Sequence, residues 1–540
     1  MSEGTGIVLV GLPGSGKTAV GRCVAERLGR PFVDLDEAIE QKTGRSPAEH
    51  IARDGETAFR TVEQRTVARL ADGGPSIIAT GGGAVIDPLN RWAFAEHGSV
   101  VWLDVSIDRA LARLRSDPVE RPLLAGDAER RLETLASERA PFYRASDFRI
   151  EAEGTPESVA QAVAVALADR SGASTSSWRT LFDTEVPRGH PFGPTHARIV
   201  FGRGLDRAAL GAVLDQFDGR APAVIADASL PAALPALDAS LPRGRRMDLA
   251  GSEGIKRMAH LERVLEWLSD EGVERGDPLV AVGGGTVGDL AGVAAAIYLR
   301  GIPLVHLPTT WVAMCDSAIG GKTAVDLEHA KNAAGAFWPA WAIVADVEAL
   351  GTLPVERARD GMAESLKCGL IGDPELWALV ETRGLAAMIG VDDAARYAIV
   401  ERAARLKLDV VERDPFERGG RRALNLGHTL AHALEVESGY SLAHGVAVGL
   451  GLRAVAAIAA GRGADPDLAD RIDAVLAPLG FPFTRAFDVA AVREALRGDK
   501  KRERGVQRWV LPMATGRVED VNDVTEAELD RAIARILAPS

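Results

Sequence analysis

The stretch that decides the fold of the first part of the chain is "GIVLVGLPGSGKTAVGRCVAERLG", residues 6–29. It opens with an apolar run typical of a buried strand and closes with the composition of a helix. Between them, residues 11–18 fit the pattern G-x-x-x-x-G-K-[ST], whose glycines let backbone N–H groups turn toward phosphate oxygens. This order predicts a nucleoside triphosphate site, here called the phosphate loop; a glycine-rich turn without a ligand is the alternative.

The residues predicted to contact the triphosphate are Gly14, Ser15, Gly16, Lys17 and Thr18. Lys17 would reach the β and γ phosphates as a catalytic group, and the Thr18 hydroxyl would hold Mg²⁺. Downstream, "FVDLDEAIE" ends a second predicted strand. Asp34 there would order water around Mg²⁺, and Asp36 would take a proton from a substrate hydroxyl. Capping of the next helix by Asp36 is the alternative.

Three arginines and a glycine-rich turn predict how the phosphate acceptor binds. Arg60 lies in the helical stretch "GETAFRTVEQR", and "ERPLLAG" and "SERAPFYRASD" supply Arg121 and Arg139. The turn "TGGGAV", residues 80–85, lets a ligand approach the backbone closely. Guanidinium groups bind carboxylates in bidentate fashion, so this set predicts a small carboxylic acid as the acceptor.

Residues 5–168 resemble shikimate kinase through the phosphate loop, "DLDEAIE", "GETAFR", "GGGAV", "RPLL" and "ERAPFYR". The resemblance implies phosphorylation of the shikimate 3-hydroxyl with ATP and Mg²⁺. It implies shikimate contacts for Asp36, Arg60, Gly82, Gly83 and Arg139. Arg121 would belong to a lid near the nucleotide, which Arg113 or Arg115 would also meet. The alternative is another small P-loop kinase acting on a sugar acid such as gluconate.

The alternation of strands and helices predicts an α/β protein with a parallel sheet in residues 1–170. The Ser/Gly/Thr-rich "SGASTSSWRT" predicts a linker over 171–194. Alternation then returns, which predicts an α/β lobe over 195–355. From about Glu356 no further strand is expected, so 356–540 is predicted to be an α-helical lobe.

Composition restricts the partners of this chain of 540 residues. Its net charge is −13 and it has no basic stripe, which argues against nucleic acid and favours small-molecule substrates. No apolar run reaches membrane-spanning length, so no membrane partner is expected. The three cysteines imply no disulfide framework, and no signal peptide is recognisable, which predicts a cytoplasmic location.

A metal site is predicted from three separate segments. "ALNLGHTLAHALE", residues 423–435, places His428 and His432 one helical turn apart, and "YSLAHGVAVGL" adds His444. In "DGMAESLKCGLI", Glu364 lies on an apolar helical face with Lys367 one turn on. Two imidazoles and one carboxylate with an open position form a catalytic Zn²⁺ set, so we predict Glu364, His428 and His444 as ligands. His432 is left to move protons or hold an anion; ordinary packing histidines are the alternative.

A dinucleotide site is predicted where "LVAVGGGTVGDLAG" passes from a strand into a helix. Candidate NAD contacts are Glu253, Lys256, Gly284, Gly285, Asp289, Thr309, Thr310 and Lys331. A charge pair on a solvated helix is the alternative for Glu253 and Lys256. Further polar groups lie among small and apolar residues, which predicts an anionic ligand. They are Arg300, Lys322, Asn332, Lys407, Arg421, Lys500 and Lys501.

From about residue 195 onward the chain resembles 3-dehydroquinate synthase. The shared strings are "GGGTVGDLAG", "YLRGI", "PTTWVAMCDSAIGGKTAVD", "GMAESLKCGLI", "RALNLGHTLAHALE", "AHGVAVGL" and "DKK". The resemblance implies NAD, Zn²⁺ or Co²⁺, and conversion of 3-deoxy-arabino-heptulosonate 7-phosphate to 3-dehydroquinate with loss of phosphate. It matches Glu364, His428 and His444 to the metal ligands.

The same resemblance assigns a substrate pocket and a dimer contact. The pocket would be formed by Asp316, Lys322, Asn332, Lys367, Lys407, Arg421, Asn425, His432 and one of Lys500 and Lys501. Lys407 and Arg421 would take the carboxylate; Lys322, Asn332, His432 and the C-terminal lysine would take the phosphate. Lys322, Lys367 and His432 are the candidate catalytic groups. Arg300 would reach the partner's substrate in a homodimer.

Three alternatives stay open for this part of the chain. One is another sugar-phosphate cyclase that uses the same NAD and metal. Another is a metal-dependent alcohol dehydrogenase, which would release NADH. The third is a degenerate arm retained only for assembly. The interpretation that we test is a single chain with two shikimate-pathway activities that are not consecutive steps.

Overall fold

The structure is a computed structural model that describes residues 5–116, 127–173, 177–187, 196–328, 330–498 and 507–538. The chain divides into two compact units. The first comprises the described parts of Met1–Glu185 together with Ile199–Ala209, and the second comprises those of Val186–Arg198 and Leu210–Ser540. Among the described residues, no helix combines the length and apolarity that crossing a membrane requires.

The first unit is built on a parallel sheet. Its strands are β1 (Gly6–Val10), β2 (Phe32–Asp34), β3 (Ile77–Ala79), β4 (Gly98–Asp104) and β5 (Phe148–Glu151). Its helices are α1 (Lys17–Leu28), α2 (Leu35–Thr43), α3 (Pro47–Asp54), α4 (Glu56–Ala71), α5 (Pro88–His97), α6 (Ile107–Arg115), α7 (Ala128–Tyr143) and α8 (Pro156–Ala173). The strand order is β2-β3-β1-β4-β5.

This sheet explains where the ligand-binding turns lie. Strand β1 is buried over its whole length, and α1, α6, α7 and α8 contribute apolar side chains to the core around it. All neighbouring strand pairs are parallel. The segments that follow β1, β2 and β3 therefore meet at the same edge of the sheet.

The segment predicted as a linker contains regular structure. Strand β6 (Arg179–Pro187) lies inside the predicted linker, and β7 (His196–Arg203) and α9 (Arg207–Leu214) follow it. Leu181 and Phe182 in β6 are buried. The polar run that suggested a linker is therefore shorter than predicted, because the apolar pair in "TLFD" gives the chain enough surface to bury as a strand.

The second unit begins with an α/β region. Its strands are β8 (Ala223–Asp227), β9 (Arg245–Leu249), β10 (Leu279–Gly283), β11 (Leu304–Pro308), β12 (Lys322–Leu327), β13 (Ala330–Phe337) and β14 (Ala342–Asp346). Its helices are α10 (Leu230–Ala233), α11 (Pro235–Ser240), α12 (Met258–Asp270) and α13 (Gly285–Ile297). In its main sheet, β14-β11-β10-β8-β9 run parallel, whereas β12 and β13 form an antiparallel hairpin.

The remainder of the second unit is mainly helical. Its helices are α14 (Val355–Ile371), α15 (Pro374–Met388), α16 (Asp393–Arg413), α17 (His428–Glu437), α18 (His444–Ala460), α19 (Leu468–Leu476), α20 (Val489–Gly498) and α21 (Glu526–Ile536). The predicted fold class, an α/β lobe followed by an α-helical lobe, is confirmed.

The expectation of no strand after Glu356 was wrong. Strands β15 (Trp509–Ala514) and β16 (Arg517–Val521) form an antiparallel hairpin. Strand β15 is almost entirely buried, and the turn between the strands holds Gly516 at φ 79°. A short apolar run followed by a glycine turn is sufficient for a hairpin when helices cover one of its faces.

Candidate functional sites

The phosphate loop has the backbone that anion binding requires. Gly11, Gly14 and Gly16 have φ values of 149°, 82° and 88°, a region that side chains disfavour. A Cβ atom at Gly14 would lie 2.7 Å from the Ala110 carbonyl oxygen. Helix α1 begins at Lys17, and no side chain among the described residues caps it, so its first N–H groups are available to an anion.

Lys17 is held inside the loop that it would serve. Its Nζ donates to the Gly11 and Leu12 carbonyl oxygens at 3.0 and 2.9 Å, and the residue is only 9% exposed. Of the two arginines left open, Arg113 contacts the loop: its Nη1 donates to the Gly14 and Ser15 carbonyl oxygens at 3.3 and 3.2 Å. Arg121 lies outside the described residues.

The two groups predicted to hold Mg²⁺ are brought together. Thr18 Oγ1 donates to Asp34 Oδ2 at 2.7 Å. Asp34 also caps α2, since its Oδ1 accepts from the backbone N–H groups of Asp36 and Glu37. The residue that caps this helix is therefore Asp34 and not Asp36. Asp36 is exposed at the glycine turn, where a Cβ atom at Gly81 would lie 3.0 Å from its Oδ1.

Two guanidinium groups lie against the glycine turn that follows β3. A Cβ atom at Gly83 would come within 2.5 Å of Arg60 Nη2, and one at Gly82 within 3.1 Å of Arg139 Nη1. Larger residues at either position would displace these groups. Arg139 is 3% exposed, and its Nε has no hydrogen-bond partner among the described residues. An unpaired buried donor beside a second guanidinium suits a carboxylate ligand.

Glu63 is a residue of this site that the sequence analysis missed. It is 1% exposed, and its Oε2 accepts from Arg60 Nη1 at 2.9 Å. Burial outweighs the attraction of Arg60 and raises the pKa of Glu63 to about 7. The available signal was its position three residues after Arg60 on one helix, which is too common a spacing to single out a buried pair.

The raised pKa of Glu63 predicts a pH-dependent stability. The folded-state pKa of about 7 exceeds the ordinary value of 4.5, so the folded protein binds more protons between these values. Stability should therefore fall as pH rises from 4.5 to 7, by roughly 3 kcal/mol. Calorimetry between pH 5 and 8 measures the unfolding temperature of the kinase unit, whose transition is identified by its shift on adding ATP and Mg²⁺. We expect this temperature to fall with rising pH, and to fall less steeply in Glu63→Gln. Parallel curves for both proteins would contradict this account.

In the second unit, three side chains from different helices meet at one point. Ligand atoms of Glu364 on α14, His428 at the start of α17 and His444 at the start of α18 lie within 4.8 Å of one another. Glu364 Oε1 is 3.3 Å from His428 Nε2 and 3.1 Å from His444 Nε2. We call these three residues the metal cluster. Gly427, at φ 76°, is the N-cap residue of α17 and lies against Leu452 of α18.

The charges of the metal cluster favour a bound cation. Burial opposes ionisation of Glu364, but the Lys367 ammonium and the two imidazoles outweigh it and hold its pKa well below the usual range. Burial and Lys367 lower the pKa of His428. For His444, the Glu364 and Glu435 carboxylates outweigh burial and raise the pKa to about 10. Two ring nitrogens and one carboxylate oxygen in such a field are a donor set that fits zinc.

His432 lies beside the metal cluster but is not one of its three residues. The His432 ring is perpendicular to that of His428, with centroids 5.5 Å apart. Lys367 is 2% exposed and forms an ion pair with Glu364. The carboxylates of Glu364 and Asp316 together stabilise this buried ammonium next to the metal cluster.

Four of the predicted cofactor contacts form a charged group at the start of α13. Lys256 Nζ donates to Asp289 Oδ2 at 2.7 Å, and Lys331 Nζ lies 3.2 Å from Glu253 Oε1. Thr286 Oγ1 donates to Glu253 Oε2 at 3.1 Å. We call Glu253, Lys256, Asp289 and Lys331 the cofactor group. Lys256 is 4% exposed, so a pair on a solvated helix does not describe it.

A small pocket lies where β10 and β11 end, lined by Gly283, Gly284, Gly285, Asp289, His306 and Ser317, among others. Burial raises the pKa of Asp289 to about 6, although Lys256 opposes this. Burial lowers the pKa of His306 to about 4, so this ring is neutral. Thr310 lies beside Gly284, where a Cβ atom would be 3.0 Å from its Cγ2, and Thr309 is buried at the end of β11.

The predicted substrate cations are paired with carboxylates or carbonyls. Lys407 Nζ donates to Asp316 Oδ1 at 2.6 Å. Glu417, which sequence reasoning missed, pairs with Lys322 and accepts from Asn425 Nδ2 at 3.1 Å. Arg421 Nη1 donates to the Pro415 carbonyl oxygen at 2.7 Å. The only sequence signal for Glu417 was its position four residues before Arg421.

Two further predicted substrate groups, Asn332 and Arg300, lie among the described residues, and two predicted lysines do not. The Asn332 side chain accepts from Lys256 Nζ at 2.5 Å, so it belongs with the cofactor group in this structure. Arg300 is exposed at φ 65°, directly after Leu299 at φ 48°. Lys500 and Lys501 lie outside the described residues.

Comparisons with known proteins find family matches in both parts of the chain. A family model described as shikimate kinase matches residues 13–168. Models described as the N-terminal and C-terminal parts of 3-dehydroquinate synthase match residues 246–360 and 361–502.

Individual relatives cover the second part of the chain. The 3-dehydroquinate synthase of Koribacter versatilis is 39% identical over 292 residues, which are 54% of this chain and 80% of that protein. That of Mesorhizobium japonicum is 37% identical over 346 residues, 61% of this chain and 91% of that protein. The structure is similar to 2-epi-5-epi-valiolone synthase of Streptomyces hygroscopicus with NAD⁺ and Zn²⁺ bound. The TM-score is 0.59 at 28% identity, over 64% of this chain and 98% of that chain.

Proposed function

The chain belongs to the 3-dehydroquinate synthase family and carries a shikimate kinase domain, and from this membership we propose how each site works. It is a bifunctional shikimate-pathway enzyme. One activity phosphorylates shikimate at its 3-hydroxyl, and the other converts 3-deoxy-arabino-heptulosonate 7-phosphate to 3-dehydroquinate with release of phosphate. The observation that carries the second activity is the convergence of Glu364, His428 and His444 from three helices.

For the kinase, we assign residues 1–170 and the following roles. ATP supplies the phosphoryl group, and Mg²⁺, held through Thr18 and Asp34, neutralises its oxygens. Lys17 and the first N–H groups of α1 bind the phosphates. Arg60 and Arg139 bind the shikimate carboxylate at the glycine turn, and Asp36 accepts the proton of the 3-hydroxyl. The paired guanidinium groups fix the ring so that this hydroxyl faces the phosphate loop.

For the synthase, we assign residues 195–355 to the NAD-binding lobe and 356–540 to the metal and substrate lobe. The cofactor group and the turn at Gly284 and Gly285 would hold NAD, which would supply reversible hydride transfer, and the metal cluster would hold zinc, which would polarise substrate hydroxyls. Lys407 and Arg421 bind the carboxylate. Lys322 and His432 bind the phosphate and stabilise its departure. Lys407 pairs with Asp316 and Lys322 pairs with Glu417, which holds these two flexible side chains in position for an anion.

We also propose that the enzyme is a homodimer. Ile297 and Leu299 are 49% and 41% exposed on either side of Tyr298, next to Arg300. Two consecutive left-handed residues, neither of them glycine, present Arg300 outward at some conformational cost. Sedimentation equilibrium should give twice the chain mass, and Arg300→Ala should lower synthase turnover while kinase turnover stays unchanged.

The function is tested by giving the purified chain each substrate separately. With 3-deoxy-arabino-heptulosonate 7-phosphate we expect phosphate release, and with shikimate and ATP we expect shikimate 3-phosphate. Sedoheptulose 7-phosphate serves as the comparison substrate, because it lacks the carboxylate that Lys407 and Arg421 would bind. A preference for sedoheptulose 7-phosphate would overturn the synthase assignment. Phosphate release that survives exhaustive chelation would overturn the metal assignment.

The proposed shikimate site can be tested by removing its two guanidinium groups. We expect Arg60→Ala and Arg139→Ala each to lower kcat/KM for shikimate by at least about 10²-fold, because each removes a charge-assisted bond to the carboxylate. The affinity for ATP should stay within about twofold, since both guanidinium groups lie at the glycine turn after β3 and Lys17 remains in the phosphate loop. Arg22→Ala is the matched control, because this exposed residue pairs with Glu37 and lies over the Phe32 ring, neither of which is a proposed shikimate contact. Shikimate turnover that survives both substitutions would remove the acceptor assignment.

A further inference from the structure

Glu435 is a buried carboxylate that neither the sequence analysis nor the proposed roles use. It lies on α17, two turns after His428, and is 4% exposed. Its Oε1 is 3.2 Å from His444 Nδ1. Burial of a carboxylate is costly unless positive or donor groups compensate it, so its position beside the metal cluster calls for a function.

The contact with Glu435 determines which nitrogen of His444 can bind a metal. Each ring nitrogen of His444 lies beside a carboxylate: Nδ1 is next to Glu435, and Nε2 is 3.1 Å from Glu364 Oε1. Only Nε2 faces the metal cluster, so a bound metal would replace the proton on Nε2, while Nδ1 would keep its proton and donate to Glu435. His428 is arranged in the same way, with Nδ1 3.1 Å from the Leu426 carbonyl oxygen. Each ring is thus fixed by an acceptor on its far side, but only His444 has a side chain in that role.

Glu435 also connects the metal cluster to the cofactor group. Lys331 Nζ lies 4.0 Å from Glu435 Oε1 and 3.2 Å from Glu253 Oε1. The same ammonium lies 5.5 Å from the centroid of the Tyr440 ring, which limits its movement. A contiguous series of contacts therefore runs from Thr286 at the start of α13, through Glu253, Lys331 and Glu435, to His444.

We propose that Glu435 is a positioning residue that holds His444 in its metal-binding tautomer and couples zinc affinity to NAD affinity through Lys331. This inference rests on the proposed synthase function. Zinc binding requires the side chains of His444 and Glu435 in a single conformation, and NAD binding requires the same of Glu253 and Lys331. Because Lys331 contacts both carboxylates, the ligand that binds first orders side chains that the second ligand needs, and the second then binds more tightly.

Two substitutions separate the two roles. In Glu435→Ala, the hydrogen bond and the ion pair are both lost. In Glu435→Gln, the amide oxygen still accepts from Nδ1, but the charge that attracts Lys331 is gone. Glu437→Ala is the matched control, since Glu437 lies on the same helix and pairs with Arg485 at 2.8 Å, away from the metal cluster.

The experiment measures zinc affinity of the full chain by competition with a chromogenic chelator, with and without saturating NAD⁺. In Glu435→Ala, zinc affinity should fall about 10- to 100-fold, the usual effect of losing such a partner. In the unsubstituted protein, NAD⁺ should raise zinc affinity at least about fivefold. In Glu435→Gln, most of the zinc affinity should be retained and the effect of NAD⁺ lost. Glu437→Ala should behave like the unsubstituted protein in both measurements.

Reciprocal calorimetry provides an internal check, because zinc must change NAD⁺ affinity by the same factor. Zinc affinity within twofold of the unsubstituted protein in Glu435→Ala would overturn the positioning role. An NAD⁺ effect that is absent from the unsubstituted protein, or unchanged in Glu435→Gln, would overturn the coupling. If the unsubstituted protein bound neither ligand, the proposed synthase function would fail instead. Calorimetric unfolding of each variant reports whether the second unit, which contains Glu435, is folded.

Discussion

Glu364→Gln is expected to abolish 3-dehydroquinate formation, with a loss of at least about 10³-fold, because the metal cluster loses its only anionic ligand. Glu364 is 2% exposed and lies next to both ligand histidines. Its carboxylate also neutralises Lys367, so the substitution leaves an ammonium buried without its partner. Zinc content measured by mass spectrometry should fall from stoichiometric to background, and phosphate release should fall with it.

The second activity of the chain is the control for this substitution. Shikimate kinase turnover should stay within about twofold, since Glu364 belongs to the other unit. Loss of the buried partner of Lys367 costs about 3–5 kcal/mol, so calorimetry is needed to show that the synthase unit of this variant is folded. His444→Asn is the second variant, because it removes a metal ligand but keeps the Glu364 carboxylate that pairs with Lys367. This variant should also lose zinc. Glu401→Gln is the matched control, because Glu401 is also a fully buried glutamate but lies on α16; this variant should retain zinc. Full phosphate release by zinc-free Glu364→Gln would contradict the assignment.

Lys17→Ala is expected to lower shikimate phosphorylation by at least about 10³-fold while 3-dehydroquinate formation continues. In this structure the Lys17 ammonium donates to the Gly11 and Leu12 carbonyl oxygens, within the loop whose N–H groups would surround the phosphates. A bound triphosphate offers it a stronger, charged acceptor. Without the ammonium, the negative charge that develops on the transferred group has no fixed counter-charge at this position. A coupled assay of ADP release measures the effect.

The matched control for Lys17→Ala is Lys42→Ala, which removes an exposed lysine from the last turn of α2. It should leave both activities unchanged. If Lys17→Ala kept kinase turnover within about tenfold, the phosphate loop would not be the catalytic phosphate site that we propose. Synthase turnover shows that the second unit is functional, and circular dichroism with thermal unfolding shows whether the first unit is folded.

Motifs contained in consecutive residues could be predicted well from the sequence. The phosphate loop depends on Gly11, Gly14 and Gly16, whose positive φ values few other residues tolerate, so the sequence nearly specifies the backbone. The parallel sheet of the first unit and the division of the second into α/β and helical parts are confirmed. Hairpin β15–β16 was missed, because a short apolar run has no period that separates a strand from a buried helix.

The carboxylates that hold the predicted cations and rings could not be found in this way. Glu63, Glu417 and Glu435 are ordinary acidic residues in their local sequence. Glu63 becomes distinctive only because packing buries it, and Glu417 and Glu435 only because distant segments bring Lys322 and His444 against them. The choice of Arg113 over Arg115 was also open until the side chain was seen to reach the phosphate loop.

The sequence by itself determined the two families, the order of strands and helices around the phosphate loop, and the residue types that a metal and an anion would need. The tertiary structure decided that Glu364, His428 and His444 meet at one point, and that Asp34 rather than Asp36 caps α2. The physical reason is range. Backbone conformation and helix capping depend on neighbours a few residues away, whereas burial, pairing and pKa depend on side chains that only the packing of separate helices and strands brings together.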